Sequence, residues 1–113
     1  MTFEVVEIDG QAQKIVLAGR LDTGTVGQVE TPFTATLAAS GKSAVLDLTG
    51  LDFLSSLGIR LLLSGARVVS RRGGKVVLFG AQPMVAEVLT AMALDQVLPL
   101  VATEEEALAR LAA

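Results

Sequence analysis

The sequence predicts an α/β fold: a mixed β-sheet, with an N-terminal antiparallel hairpin feeding parallel strands, covered by about four helices. Two observations carry this. Short apolar runs bounded by turn signals, at residues 44–48 and 75–79, read as strands buried on both faces, as parallel strands are. From residue 43 onward such strands alternate with helical patterns, which implies right-handed parallel crossovers. A third observation sets the scale: 113 residues, 51% of them apolar, suit one domain over residues 1–113 with a core of its own.

Residues 3–9, Phe-Glu-Val-Val-Glu-Ile-Asp, mix β-branched residues with acidic interruptions, the pattern of a half-exposed edge strand. Asp9-Gly10 signals a turn, and residues 14–18, Lys-Ile-Val-Leu-Ala, form the return strand of a hairpin. Residues 25–39 read as a helix in which Val26, Val29, Phe33 and Leu37 share a face. Pro32 sits inside that pattern, where it removes a backbone donor and crowds the preceding turn. A kink is expected there, or a fresh start with Thr31 as cap. Ser40-Gly41 closes the element. Residues 44–48 are the first buried strand, and Thr49 to Ser55 is a loop. Residues 56–71 are the strongest helix, stopped by Arg71-Arg72-Gly73-Gly74. After the strand at 75–79, Pro83 opens a helix to about Ala91, and residues 97–100 form a short fifth strand. Thr103 and Glu106 make a capping box for a last helix to Leu111. Val45, Leu46, Leu48, Ile59, Leu62, Leu63, Val76, Val77 and Leu78 are the expected core.

The chain has neither Cys nor His, which removes disulfides, Cys/His zinc sites, thiol nucleophiles and His-based triads. It has no Gly-rich loop followed by Lys-Ser or Lys-Thr to cradle a nucleotide. An enzyme is not expected, and no cofactor is implied. A net charge of −3 and only four aromatic residues, all Phe, argue against a direct nucleic-acid partner. The chain starts on strand-like sequence without the pattern of a secretory signal, and Leu61-Leu62-Leu63 is far too short to span a bilayer. A cytoplasmic protein is the expectation.

One segment stands out: Asp47-Leu48-Thr49-Gly50-Leu51-Asp52-Phe53-Leu54-Ser55-Ser56-Leu57-Gly58-Ile59. Here a buried strand delivers a short polar stretch to the start of a strong helix, and ligands and partners gather at that end of the strands in open α/β sheets. Ser55 and Ser56 lie where unpaired backbone N–H groups and the positive end of the helix dipole favour a phosphate. A phosphate-accepting serine needs only a reachable hydroxyl, because the kinase supplies base, nucleotide and metal. On physical grounds alone, the commoner role of a serine at a helix start is N-cap.

The stretch from Asp47 to Leu63 resembles the signature of the STAS-domain anti-sigma-factor antagonists: a strand ending in Asp-Leu, a loop with an aromatic, a Ser-containing turn, a Gly and an aliphatic helix. Gly19-Arg20-Leu21-Asp22 resembles the family's Gly-x-Leu-Asp after the second strand, and the element order matches over nearly the whole chain. The resemblance implies a STAS-like fold and a bacterial partner switch. In that family an anti-sigma factor that is also a serine kinase phosphorylates one Ser at the helix start. The unmodified form captures the kinase and frees the sigma factor; the phosphorylated form lets go, and a phosphatase resets it. By position Ser56 matches the phosphorylated residue and Asp22 an acidic residue at the partner surface. The sequence departs from the pattern twice. Ser55 stands where the family commonly has Asp, which makes Ser55 an alternative acceptor, with Asp52 nearby to replace the charge, and Leu57 stands where Ser, Thr or Ala is common. A second reading is a STAS module of another system, such as a transporter-associated subunit or a stressosome-like scaffold.

On the helix from Ser56, Arg60, Ser64, Arg67 and Arg71 line up at spacings of four, three and four, with Leu57, Leu61 and Val68 beside them. The plainer reading is a ridge packed on a neighbouring helix with solvated arginines. The functional one is a partner surface, since apolar anchors with Arg are typical interface material. The partner-contact candidates are therefore Asp22, Asp52, Leu57, Arg60, Leu61 and Arg67. Asp22 also fits a turn or helix cap. Gly58 and Gly65 each cost about 1 kcal/mol in a helix relative to Ala, so another element must approach closely there, within the chain or across a complex.

Overall fold

The computed structural model describes residues 1–94 and 97–112. Among the described residues the elements follow one another as β1 (Thr2–Glu7), β2 (Ala12–Leu21), α1 (Val26–Ser40), β3 (Ser43–Asp47), β4 (Leu51–Leu54), α2 (Ser56–Ser70), β5 (Val76–Phe79), α3 (Pro83–Ala91), β6 (Leu100–Val101) and α4 (Glu104–Ala112). The sheet is mixed, in the order β1-β2-β3-β5-β6, with β4 paired to β2 off that path. β1 and β2 are antiparallel, with Val5 opposite Ile15. Asp9 makes the hairpin turn, its carboxylate accepting from the N–H groups of Gln11 and Ala12 at 2.7 and 2.9 Å. All other pairings are parallel.

The sheet is buried on both faces in its centre. On one face Leu46 and Leu78 pack in a cluster with Phe33 and Leu37 of α1, Ile59 and Leu62 of α2, and Val85 and Leu89 of α3. On the other, Val45, Val77 and Phe79 pack with Ala107, Leu108 and Leu111 of α4. The alternation along β3 and β5 is the period of two that a strand imposes. All the expected core residues are buried except Leu63, which is half-buried against the core.

Three expectations need correction. The stretch Thr49 to Ser55 is not all loop: Leu51–Leu54 is a strand, parallel to the end of β2, with Leu51 and Leu54 buried. At four residues, with an Asp inside and a turn before it, it lacks the length that identifies a strand by periodicity. Nor does the helix restart at Thr31: α1 runs unbroken through Pro32. The reason is the position of the proline. Pro32 and Gln28, whose carbonyl loses its helical donor, both lie exposed, so water can serve that oxygen, while Val29, Phe33 and Leu37 anchor the opposite face. The last strand is shorter and later than expected, two residues at Leu100–Val101. Among the described residues no helix is long and apolar enough to cross a membrane.

Candidate functional site

β2 and β4 end side by side, and everything at the candidate site follows from that pairing. Leu21 lies opposite Leu54, and the N–H of Ser55 donates to the carbonyl of Leu21 at 2.9 Å. The turn after β2 is thereby set against the start of α2. Gly58 allows it: a Cβ there would stand 2.8 Å from Leu21 Cγ, 2.9 Å from Leu54 Cδ1 and 3.0 Å from the Leu21 carbonyl oxygen. Gly65, two turns on, lets α1 close on α2, since a Cβ would lie 2.6 Å from both Leu37 Cδ1 and Phe33 Cε2. Both close approaches are internal to the chain.

The two serines have different situations. Ser55 is the N-cap of α2, in extended conformation, and its Oγ accepts from the N–H of Gly58 at 3.2 Å. It is half-buried. Ser56 is the first helical residue and is exposed, and its hydroxyl makes no hydrogen bond to any described residue. The cap role and the presented hydroxyl thus fall on adjacent residues.

Asp22 holds the neighbouring turn. Its Oδ1 accepts from the N–H groups of Gly24 and Thr25 at 2.9 and 3.1 Å, and its Oδ2 lies 3.5 Å from Arg20 Nε. Partial burial pushes its pKa up, but the Gly24 N–H, the Thr25 hydroxyl and N–H, and Arg20 together hold it below the ordinary carboxylate value. Thr25 locks the turn from the other side, accepting from the Asp22 N–H at 3.0 Å and donating to the Arg20 carbonyl at 2.6 Å. Asp22 is therefore tied into local structure on both oxygens. The Arg20 guanidinium sits 4.3 Å from the centroid of the Phe53 ring, a cation–π contact linking β2 to β4. Asp52, exposed on β4, accepts from Gln82 Nε2 at 3.3 Å, and the same amide donates to the Thr49 carbonyl at 3.0 Å. Asp52 thus ties the β4 strand to the start of α3. Arg20, Thr25 and Gln82 are site-forming residues that sequence reasoning missed. Arg20 and the Phe53 aromatic carried a signal only as members of the quoted motifs.

Along α2, Leu57 is 38% exposed, and Arg60, Ser64, Arg67 and Arg71 are all exposed. Leu61 is a correction. At 4% exposure it belongs to the core cluster and not to a partner surface. Its place beside the arginine row on a helical wheel hides the fact that the core cluster reaches round to that side of the helix. Val68 is half-buried. Among the described residues no group of three acidic side chains is placed to hold a metal ion.

This arrangement presents a hydroxyl and a charged helix face outward. A STAS domain family model matches residues 3–107. BtrV of Bordetella bronchiseptica, which carries the name of the anti-sigma factor antagonists, is 30% identical over 93 residues, 82% of this chain and 80% of its own length. The structure of a STAS-domain anti-sigma-factor antagonist protein from Planctomyces limnophilus is 27% identical, covers 98% of each chain and superposes with a TM-score of 0.85. SpoIIAA is 24% identical in both its unphosphorylated and its phosphorylated forms. The first covers 96% of this chain and 95% of its own, with a TM-score of 0.80, and the second, from Bacillus, covers 96% and 98%, with a TM-score of 0.73. The chain belongs to the STAS domain family.

Proposed function

We propose that this chain is an anti-sigma factor antagonist, a cytoplasmic binding module and not an enzyme, that captures an anti-sigma factor with serine-kinase activity and is released from it by phosphorylation of Ser56. The observation that carries the proposal is the division of labour at the start of α2: Ser55 Oγ is engaged as cap, while the exposed Ser56 Oγ is engaged by no described residue. The antagonist name of BtrV supports the class of partner, and SpoIIAA, a more distant structural relative, is a protein with a phosphorylated form.

The kinase transfers the terminal phosphoryl group of a nucleoside triphosphate to Ser56 Oγ. The hydroxyl proton passes to the kinase's base and the diphosphate leaves. A phosphatase returns the hydroxyl by hydrolysis. The product carries about −1.5 to −2 charges at pH 7. The long-range part of that charge is screened beyond about 8 Å at physiological salt, so the local effect dominates: a dianion where a partner packs has to be desolvated or displaced. The helix N-terminus itself accommodates a phosphate, so the fold survives modification. A loss of about 3 kcal/mol lowers affinity roughly a hundredfold, enough for a switch.

Ser55, where the family's antagonists commonly have Asp, favours a second reading: a STAS interaction module of a transporter-associated or scaffold system, without a working switch. One experiment separates them. The protein is purified from its own cells and phosphopeptides covering Ser55 and Ser56 are read by mass spectrometry, and Ser56→Asp and Ser56→Ala are compared for binding to the cognate kinase. Phosphate on Ser56 and tighter binding by Ser56→Ala support the antagonist. Equal affinities with no phosphate at either serine leave the interaction module.

A further inference from the structure

The chain has nine cationic side chains, and several are tied to partners within the fold. Lys14 pairs with Glu104 at 3.0 Å, Lys42 with Glu7, and Arg20 with Asp22 at 3.5 Å. Arg72 donates to the carbonyls of Leu37 and Ala38 at the end of α1. Arg60 and Arg67 of α2 and its C-cap Arg71 differ: all three are exposed in one row, and none meets a carboxylate among the described residues; Arg110, on α4, is another exposed arginine in no ion pair there. Eleven residues separate the ends of the row, about 16 Å at 1.5 Å per residue. Leu57, 38% exposed, lies at its N-terminal end.

We propose that the row Arg60–Arg67–Arg71 docks an acidic surface of the protein partner, and that a phosphate on Ser56 disables the row by pairing with Arg60. The second half rests on the reading of Ser56 as phosphoacceptor. Three aligned guanidinium groups with free forks match carboxylates two bonds at a time. Their concentration on one face of a chain of net charge −3 makes that face the place where an acidic partner is drawn and a basic one repelled. Ser56 and Arg60 are four residues apart on one helix and both exposed, so their side chains are surface neighbours. An unmodified Ser56 leaves Arg60 to the partner. A phosphate offers Arg60 a nearer, intramolecular anion, and the partner then meets a shortened row with a dianion at its end.

The test needs no kinase. Phosphoserine is placed at position 56 during synthesis, and the second ionisation of the phosphate is followed by 31P NMR at low salt, with Arg60 present and in Arg60→Met. Pairing lowers that pKa by about 0.2–0.4 unit when Arg60 is present, the size of an exposed ion pair at this spacing; equal values overturn the pairing. Unmodified protein is then titrated with a poly-L-glutamate peptide at low salt. The expected shifts concentrate on the Arg60, Arg67 and Arg71 side-chain N–H groups, and Arg67→Gln weakens binding several-fold. Phosphorylation costs at least twofold less affinity in Arg60→Met than in the unsubstituted chain. Shifts scattered over all cations, an unchanged Arg67→Gln, or concentration-dependent self-association through the row, with Glu104 to Glu106 of a second copy as the acidic surface, would each overturn the docking. Absence of phosphate from Ser56 in cells bears on the switch alone and is separable from all of these.

Discussion

α1 and α2 are each fifteen residues long and lie against each other on one face of the sheet, yet they are held in different ways. α1 has no side-chain cap, carries a proline in its middle, and has its last carbonyls served by Arg72 from the far end of α2. Its outward face offers one charge, Glu30. It is fixed by what it buries: Val29, Phe33 and Leu37. α2 is fixed at its first turn by the Ser55 cap, the Ser55–Leu21 backbone bond and the close fit of Gly58, and with its C-cap Arg71 it displays Ser56, Leu57 and three arginines. A helix held chiefly by what it buries is scaffold. One whose first turn is clamped by the backbone can also hold a hydroxyl in a defined place for a partner.

The sharpest way to break this comparison is to charge the inner side of the display helix. Leu61→Asp places an unpaired carboxylate where a leucine is 4% exposed. Lost apolar burial and a buried charge together cost about 4 kcal/mol or more, a large share of the roughly 5–15 kcal/mol that holds a typical domain. Leu57→Asp, four residues earlier and 38% exposed, costs less than about 1 kcal/mol. Urea unfolding followed by circular dichroism reads both, and equal midpoints would put the two leucines on the same surface after all.

A smaller effect sharpens the contrast between the two helix starts. Gly58→Ala drives a methyl group into Leu21, Leu54 and a backbone carbonyl, so the gain in helix propensity is outweighed and stability falls by about 1–3 kcal/mol. Gly27→Ala, in the first turn of α1, meets nothing within 4 Å and gains up to about 1 kcal/mol. Opposite signs in thermal unfolding are the expected outcome. A stabilised Gly58→Ala would mean that α2 is as loosely seated at its start as α1.

These contrasts also show what was legible in the sequence. Buried strands at 44–48 and 75–79, the hairpin and the capped last helix were readable because their patterns have the period of the element and are bounded by turn residues. β4 was not, because Leu51-Asp52-Phe53-Leu54 is too short to show a period, and its partner, the end of β2, is more than thirty residues away. Leu61 was misplaced because a helical wheel gives angles without saying how many neighbours surround the helix. At the site, Ser55 and Ser56 were legible as a pair but not as different in kind. Which one caps depends on whether the helix begins at 56 or 57, a matter of one residue that the Ser55–Leu21 bond decides. Asp22 matched a motif, and only the structure shows both its oxygens engaged.

The smallest expected effect is the one that separates those two serines. Ser55→Ala removes the oxygen that accepts from the Gly58 N–H, and loss of a serine cap costs about 1 kcal/mol. Ser56→Ala removes an exposed hydroxyl that no described residue binds, at a position where alanine is the better helix former, so stability stays within about 0.5 kcal/mol. The functional effects run the other way. With Ser56→Ala there is no hydroxyl to phosphorylate, and the protein stays bound to its kinase. Ser55→Ala keeps the acceptor but loosens the turn that presents it, so phosphorylation slows without being abolished. Ser55→Asp restores a cap of the same geometry with a carboxylate beside the helix N-terminus, so it recovers the stability that Ser55→Ala loses while leaving Ser56 as the acceptor. Melting temperatures and phosphoryl-transfer rates for the three variants, taken together, decide the assignment. If Ser55→Ala is the substitution that abolishes phosphorylation, the cap and the acceptor are one residue, and the clamp on α2 is itself what the kinase modifies.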